Sequence, residues 1–229
     1  MRTLLALACL LAGCAAAGVA PTGNNPDSPS APKDGPDDEP DSPPAPVEAR
    51  LLQTTNETVA ADNSVACVST QTASNSWYRV FSLAEAGITG AFNVSKITFA
   101  VETSTNEPPL TVKVGSYAGT PNDTAPLDLA QASFLANTTA AVANTAAAVV
   151  IDVPITATIP AGSQVIVEIT STDRTTAGDV FFLGTTSGPF QHTNYLLSTE
   201  CGLIVPTAMA SVCAGCGASQ AIISVTGTH

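Results

Sequence analysis

Between residues 51 and 229 apolar and polar side chains alternate with a period of two in short bursts, and Gly, Pro, Asn and Asp punctuate the bursts. The pattern predicts strands over 77–83 (WYRVFSL), 94–102 (VSKITFAVE), 110–117 (LTVKVGSY), 149–159, 164–170 (QVIVEIT), 180–183, 195–197 and 221–226. A turn at Pro160-Ala161-Gly162-Ser163 separates two β-branched runs. In the second run Val165, Val167 and Ile169 share one face and Gln164, Ile166 and Glu168 the other, the signature of a half-buried antiparallel strand. The alanine-rich stretch 136–148 is broken by Asn137, Thr138, Thr139, Asn144 and Thr145, so two short edge strands joined near Asn144 are expected there rather than a helix. Many short strands without a long amphipathic helix give the fold class: all-β, an antiparallel two-sheet sandwich of the jelly-roll kind.

The N-terminal part reads differently. Met1-Arg2 is followed by the apolar run 4–11 (LLALACLL), which has the length of a signal-peptide core and is too short to span a bilayer. Leu11-Ala12-Gly13-Cys14 resembles the lipobox of bacterial lipoproteins. That resemblance implies removal of residues 1–13, lipidation of Cys14 and, with Ala rather than Asp at position 15, sorting to the outer membrane. From Ala15 to Arg50 nine prolines lie among seven acids, with almost no large apolar side chain. Such a composition cannot bury a core, so residues 14–50 are expected to be the lipidated Cys and a disordered, extended linker. Residues 51–229 then form the sandwich domain.

The formal net charge of −12 opposes contact with phosphate backbones and excludes nucleic acid as a partner class. Of the six cysteines, Cys67, Cys201, Cys213 and Cys216 fall in the folded domain. In an exported chain they are disulfide candidates, with three possible connectivities.

The strings NSWYRVFSLAEAGITGAFNVSKITFAVE, IPAGSQVIVEI and YLLSTECGLIVPT resemble a recurrent β-sandwich module of secreted bacterial surface proteins. The resemblance implies a non-catalytic module and a disulfide between Cys67, just before the Trp-Tyr-Arg-Val-Phe strand, and Cys201 of the Cys-Gly pair. Cys213 and Cys216 depart from that pattern.

Little catalytic chemistry is offered. Cys213-Ala214-Gly215-Cys216 has the spacing of a redox or metal pair, but it lies in a Gly/Ala-rich loop and lacks a second CxxC. His192 has no Gly-x-Ser-x-Gly elbow to serve. The loop residues Phe190, Gln191, His192, Asn194 and Tyr195 combine an aromatic surface with hydrogen-bonding groups, the equipment of a carbohydrate-binding loop. Trp77 and Tyr78 open a strong strand and belong to the core, and Arg79 suits a buried or rim ion pair as well as ligand recognition. No cofactor is expected. If an ion binds it is calcium, at Asp123 with Asp128 or Asp173 with Asp179, although neither pair has a calcium-loop spacing. The expected function is a lipid-anchored binding, adhesion or structural module on the cell surface or the periplasmic face, with a membrane contact through lipid and a glycan or surface protein as partner. A small exported hydrolase or thiol-redox protein is the alternative.

Overall fold

The computed structural model describes residues 45–68, 72–173 and 178–229. Cys14, the signal segment and most of the expected linker lie outside them. The described chain contains thirteen strands: β1 Glu48–Leu51, β2 Asn75–Ser82, β3 Phe92–Ser104, β4 Pro109–Tyr117, β5 Ala132–Ala141, β6 Val149–Ile159, β7 Gln164–Ser171, β8 Phe181–Leu183, β9 Thr185–Thr186, β10 Tyr195–Ser198, β11 Leu203–Ala208, β12 Gln220–Ala221 and β13 Ile223–Thr228. A four-residue helix, α1 Met209–Val212, and three short 3-10 turns complete it.

The pairing follows one long antiparallel ribbon: β1 with β13, β2 with β7, β3 with β6 and β4 with β5. Rolling that ribbon brings β13 beside β3 and β7 beside β4. The result is two facing sheets, β1-β13-β3-β6 and β2-β7-β4-β5, which is the jelly-roll arrangement. Strands β8 to β12 are inserted between β7 and β13. β10 and β11 extend the second sheet past β2, β8 continues beside β3, and β9 pairs with β12.

The main core lies between the sheets, with Phe81, Val112, Val114 and Val167 facing Phe92, Ile97, Phe99 and Val225. Trp77 is fully buried, its ring meets Phe181 edge-on at 5.7 Å, and its Nε1 donates to Val65 O at 3.0 Å. Burial of side chains this size contributes about 1.5–3 kcal/mol each. Close backbone approach fixes one bulge: a Cβ at Gly227 would overlap Asn93 O and the Phe92 ring, where the β13–β3 register shifts.

Three expectations are corrected. The folded domain begins before residue 51, since Glu48, Ala49 and Arg50 pair with Thr228, Gly227 and Thr226. Residues 136–148 do not form two strands. Ala132–Ala141 is a single edge strand, held in the strand state by its ladder to β4 with one bulge at Leu135, and residues 142–148 connect it to β6. β7 is not half-buried. Ile166, on the face assigned to solvent, is fully buried in a second cluster with Tyr78, Val80, Tyr117, Leu127, Tyr195 and Ala208, because the β4–β5 connection folds over the outer side of this sheet.

Both disulfides are formed. Cys67–Cys201 spans 134 residues and ties the segment before β2 to the turn after β10, while Cys213–Cys216 closes the short loop after α1.

Candidate functional site

At one end of the sandwich β2 runs out at Ser82 opposite the start of β7, and β4 ends at Tyr117 opposite the same residue, Gln164. Gly162, at φ 76°, takes the left-handed position of the β6–β7 turn, in which Ser163 N donates to Pro160 O at 3.2 Å. The loop leading into β10 crosses this end. Phe190 forms an isolated bridge with Thr54, and Gln191 N donates to Gln53 O at 2.9 Å. A side strand of two residues thus holds the loop against the segment after β1.

Three adjoining clefts open around this loop. One of about 350 Å³ lies between Phe190, Pro189 and Leu52, Thr54 and Thr55. Another, of about 210 Å³, is bounded by Leu51, Gln53, Phe81, Glu85 and Gln191. The widest, about 550 Å³, runs from His192 and Glu85 past Ile88 and Thr120 to Ser163 and Gln164. Its walls are hydroxyls, amides and small apolar surfaces. His192 Nε2 sits 3.1 Å from both carboxylate oxygens of Glu85, an ion pair when the imidazole is protonated. Being half exposed on the Glu85 side, it contributes under about 1 kcal/mol to stability.

Of the five loop residues singled out from the sequence, Phe190, Gln191 and His192 line these clefts. Asn194 and Tyr195 do not reach the surface: both are fully buried and work beneath it. Asn194 Oδ1 accepts from Ala221 N at 3.2 Å and its carbonyl from Met209 N at 3.0 Å, while its Nδ2 is buried without a partner among the described residues. Tyr195 Oη exchanges hydrogen bonds with the backbone of Asn122, and burial pushes its pKa up to about 12.

Of the two readings the sequence allowed for Arg79, the ion pair does not form among the described residues. The side chain is wholly buried, and its donors go to neutral acceptors: Gln53 Oε1 at 2.6 Å, Ala221 O at 2.6 Å and His192 O at 3.2 Å. Burial pushes its pKa down to about 9, with no carboxylate opposing the fall. The guanidinium therefore braces the segment after β1, the loop before β10 and strand β12 at once. Gln53 and Glu85 were not legible as site residues, since nothing in their local sequence marks them and only the fold brings them to the loop.

The carboxylates considered for calcium serve protein donors where they can be followed. Asp123 Oδ1 accepts from Thr193 N at 3.0 Å, and Asp128 Oδ1 caps a 3-10 turn through Ala130 N at 3.0 Å. Asp179 accepts from Asn106 Nδ2, and Asp173 is exposed next to residues that lie outside the described set. Among the described residues no group of three His, Cys, Asp or Glu side chains is placed to hold a metal. Cys213 follows the last residue of α1 and Cys216 opens a 3-10 turn, so neither sulfur stands at the N-terminus of an α-helix, where a thiolate would be favoured.

Neither a protein-family model nor a curated protein sequence matches the chain. Among solved structures, one titled "Structure of infectious bursal disease virus Gx strain" is similar at 10% identity and a TM-score of 0.29, over 81% of this chain and 37% of that one. The present chain thus spans little more than a third of that structure's length, and a similarity at this level carries no argument about function; the jelly-roll assignment rests on the strand pairing itself.

Proposed function

We propose that this protein is a lipid-anchored display module. Cys14 carries the lipid, the acidic proline-rich linker holds the sandwich away from the bacterial outer membrane, and the domain binds without catalysis through the end that carries Phe190, Gln191 and His192. The observation that carries this reading is the convergence of three clefts on one loop, whose exposed aromatic edge and hydroxyl- and amide-lined walls suit a neutral, hydroxyl-rich ligand such as a surface glycan.

Two measurements test the proposal. Intact mass of the membrane-extracted protein should give a chain beginning at Cys14 with added acyl mass, and an unmodified N-terminus would remove the anchor. On a glycan array the domain should bind a restricted set of neutral sugars, with Phe190→Ala and His192→Ala lowering the signal at least about tenfold. Leu135→Ala, on the exposed face of β5, should leave it unchanged. Binding that ignores the loop variants would move the function elsewhere on the molecule.

A further inference from the structure

We propose that Arg79 is the receptor for a small carboxylate, with the amide of Gln53 standing in its place in the unliganded protein. The chain has 19 acidic residues against 7 basic ones, yet Arg79 is enclosed with only neutral acceptors around it. A buried cation left without an anion is costly, and a carboxylate is the acceptor whose two oxygens match the planar fork of a guanidinium. Donors here remain unused, although the buried Gln220 Oε1, next to Ala221, is also without a partner among the described residues. Among the described residues three contacts leave further guanidinium N–H groups unengaged, and the neighbouring Asn194 Nδ2 is buried with no partner. Both side chains reach Ala221. Asn194 Oδ1 binds the N–H of Ala221 and Arg79 Nη1 its C=O, and in an extended residue those two groups point to the same edge.

Among the described residues Gln53 is the only side-chain acceptor on Arg79. It also lines the cleft of about 210 Å³ bounded by Leu51, Phe81 and Gln191, from which a ligand would reach the guanidinium by displacing it. Its Nε2 donates to Val80 O, a bond that a swing of the side chain gives up. Arg50 at the cleft adds positive potential, although Glu57 binds it and Glu85 on the opposite wall works against an incoming anion. A carboxylate that displaces the Gln53 amide gains a charge-assisted, bidentate contact where a neutral one stood. The site stands on Arg79 alone and does not depend on glycan binding by the loop.

The test uses sodium acetate, exchanged for sodium chloride at constant ionic strength, with the fluorescence of Trp77 as readout. Trp77 is the single tryptophan and lies two residues from Arg79 on the same face of β2. The full chain should give a saturable response. Gln53→Ala, which removes the internal competitor, should bind acetate about fivefold more tightly. Gln53→Glu, which supplies a tethered carboxylate, should lose the acetate response while remaining folded by circular dichroism. A non-saturable response in the wild-type chain overturns the proposal. So does a Gln53→Ala protein that binds acetate no more tightly than the wild type, or a folded Gln53→Glu protein that still binds it. Arg79→Met should abolish the response, and if that variant does not fold, the two Gln53 variants decide.

Discussion

The phenol of Tyr195 donates to the backbone carbonyl of Asn122 at 3.0 Å and accepts from the N–H of the same residue at 2.9 Å. One side chain on β10 thereby fixes the β4–β5 connection, which in turn covers the outer face of the second sheet and presents Asp123 to Thr193 N in the candidate loop. Tyr195→Phe keeps the ring in its cluster and removes only these two bonds. Because Asn122 itself reaches water, its freed backbone groups are resolvated, and the variant should lose about 1 kcal/mol in urea unfolding. Hydrogen exchange at the Asn122 amide should become fast while the β2 and β7 amides stay protected.

The same burial has a spectroscopic consequence. Tyr78 and Tyr195 are pushed from 10.0 up to about 12 by burial, reinforced at Tyr78 by the nearby Glu168 carboxylate and at Tyr195 by Asp123. The fold therefore favours the neutral phenols. For these groups the contribution to stability is intact below pH 10, the unfolded value, and is lost as the pH rises toward 12. Tyrosinate absorbance of the native protein should lag behind that of the protein in denaturant throughout this window. Coincident titration curves would mean that the two rings are exposed.

The disulfides differ in what they constrain. Cys67–Cys201 links residues 134 apart and Cys213–Cys216 residues 3 apart. In the chain-entropy treatment the long loop is worth about 5 kcal/mol and the short one about 2 kcal/mol. Paired Cys→Ala replacement at 67 and 201 should accordingly lower the urea midpoint more than replacement at 213 and 216. Reduction of the wild-type protein should reproduce the larger effect once both bonds are open.

The strands of the jelly roll were legible because alternation in runs such as 164–170 reports a buried face, and the face carrying Val165, Val167 and Ile169 is buried between the sheets. The other face was misread, since period-two alternation cannot announce that a distant connection will lie over Ile166. Strand β5 was blurred for a related reason. Its alanines, threonines and asparagine carry little hydrophobic contrast, and their strand state is imposed by the ladder to β4. In the candidate site, Phe190, Gln191 and His192 stood out as an aromatic and polar loop. Gln53, Arg79 and Glu85 join them only through the roll of the ribbon, which places residues up to 142 positions apart, as for Arg79 and Ala221, in one hydrogen-bonded group.

That covered face yields a direct energetic contrast between two isoleucines. Ile166 on β7 is fully buried on the face that alternation alone assigns to solvent, whereas Ile204 on the edge strand β11 is 75% exposed. Truncating Ile166 to Ala opens a hole beneath the β4–β5 connection, between Tyr78, Tyr117 and Leu127, and should cost about 2–4 kcal/mol. Ile204→Ala removes a side chain that is already hydrated and should stay within about 0.5 kcal/mol of the wild type. Both are read from urea unfolding at matched pH. If Ile166→Ala were as mild as Ile204→Ala, the β4–β5 connection would not be packed on the sheet in solution, and the second cluster would contribute nothing to holding the candidate loop in place.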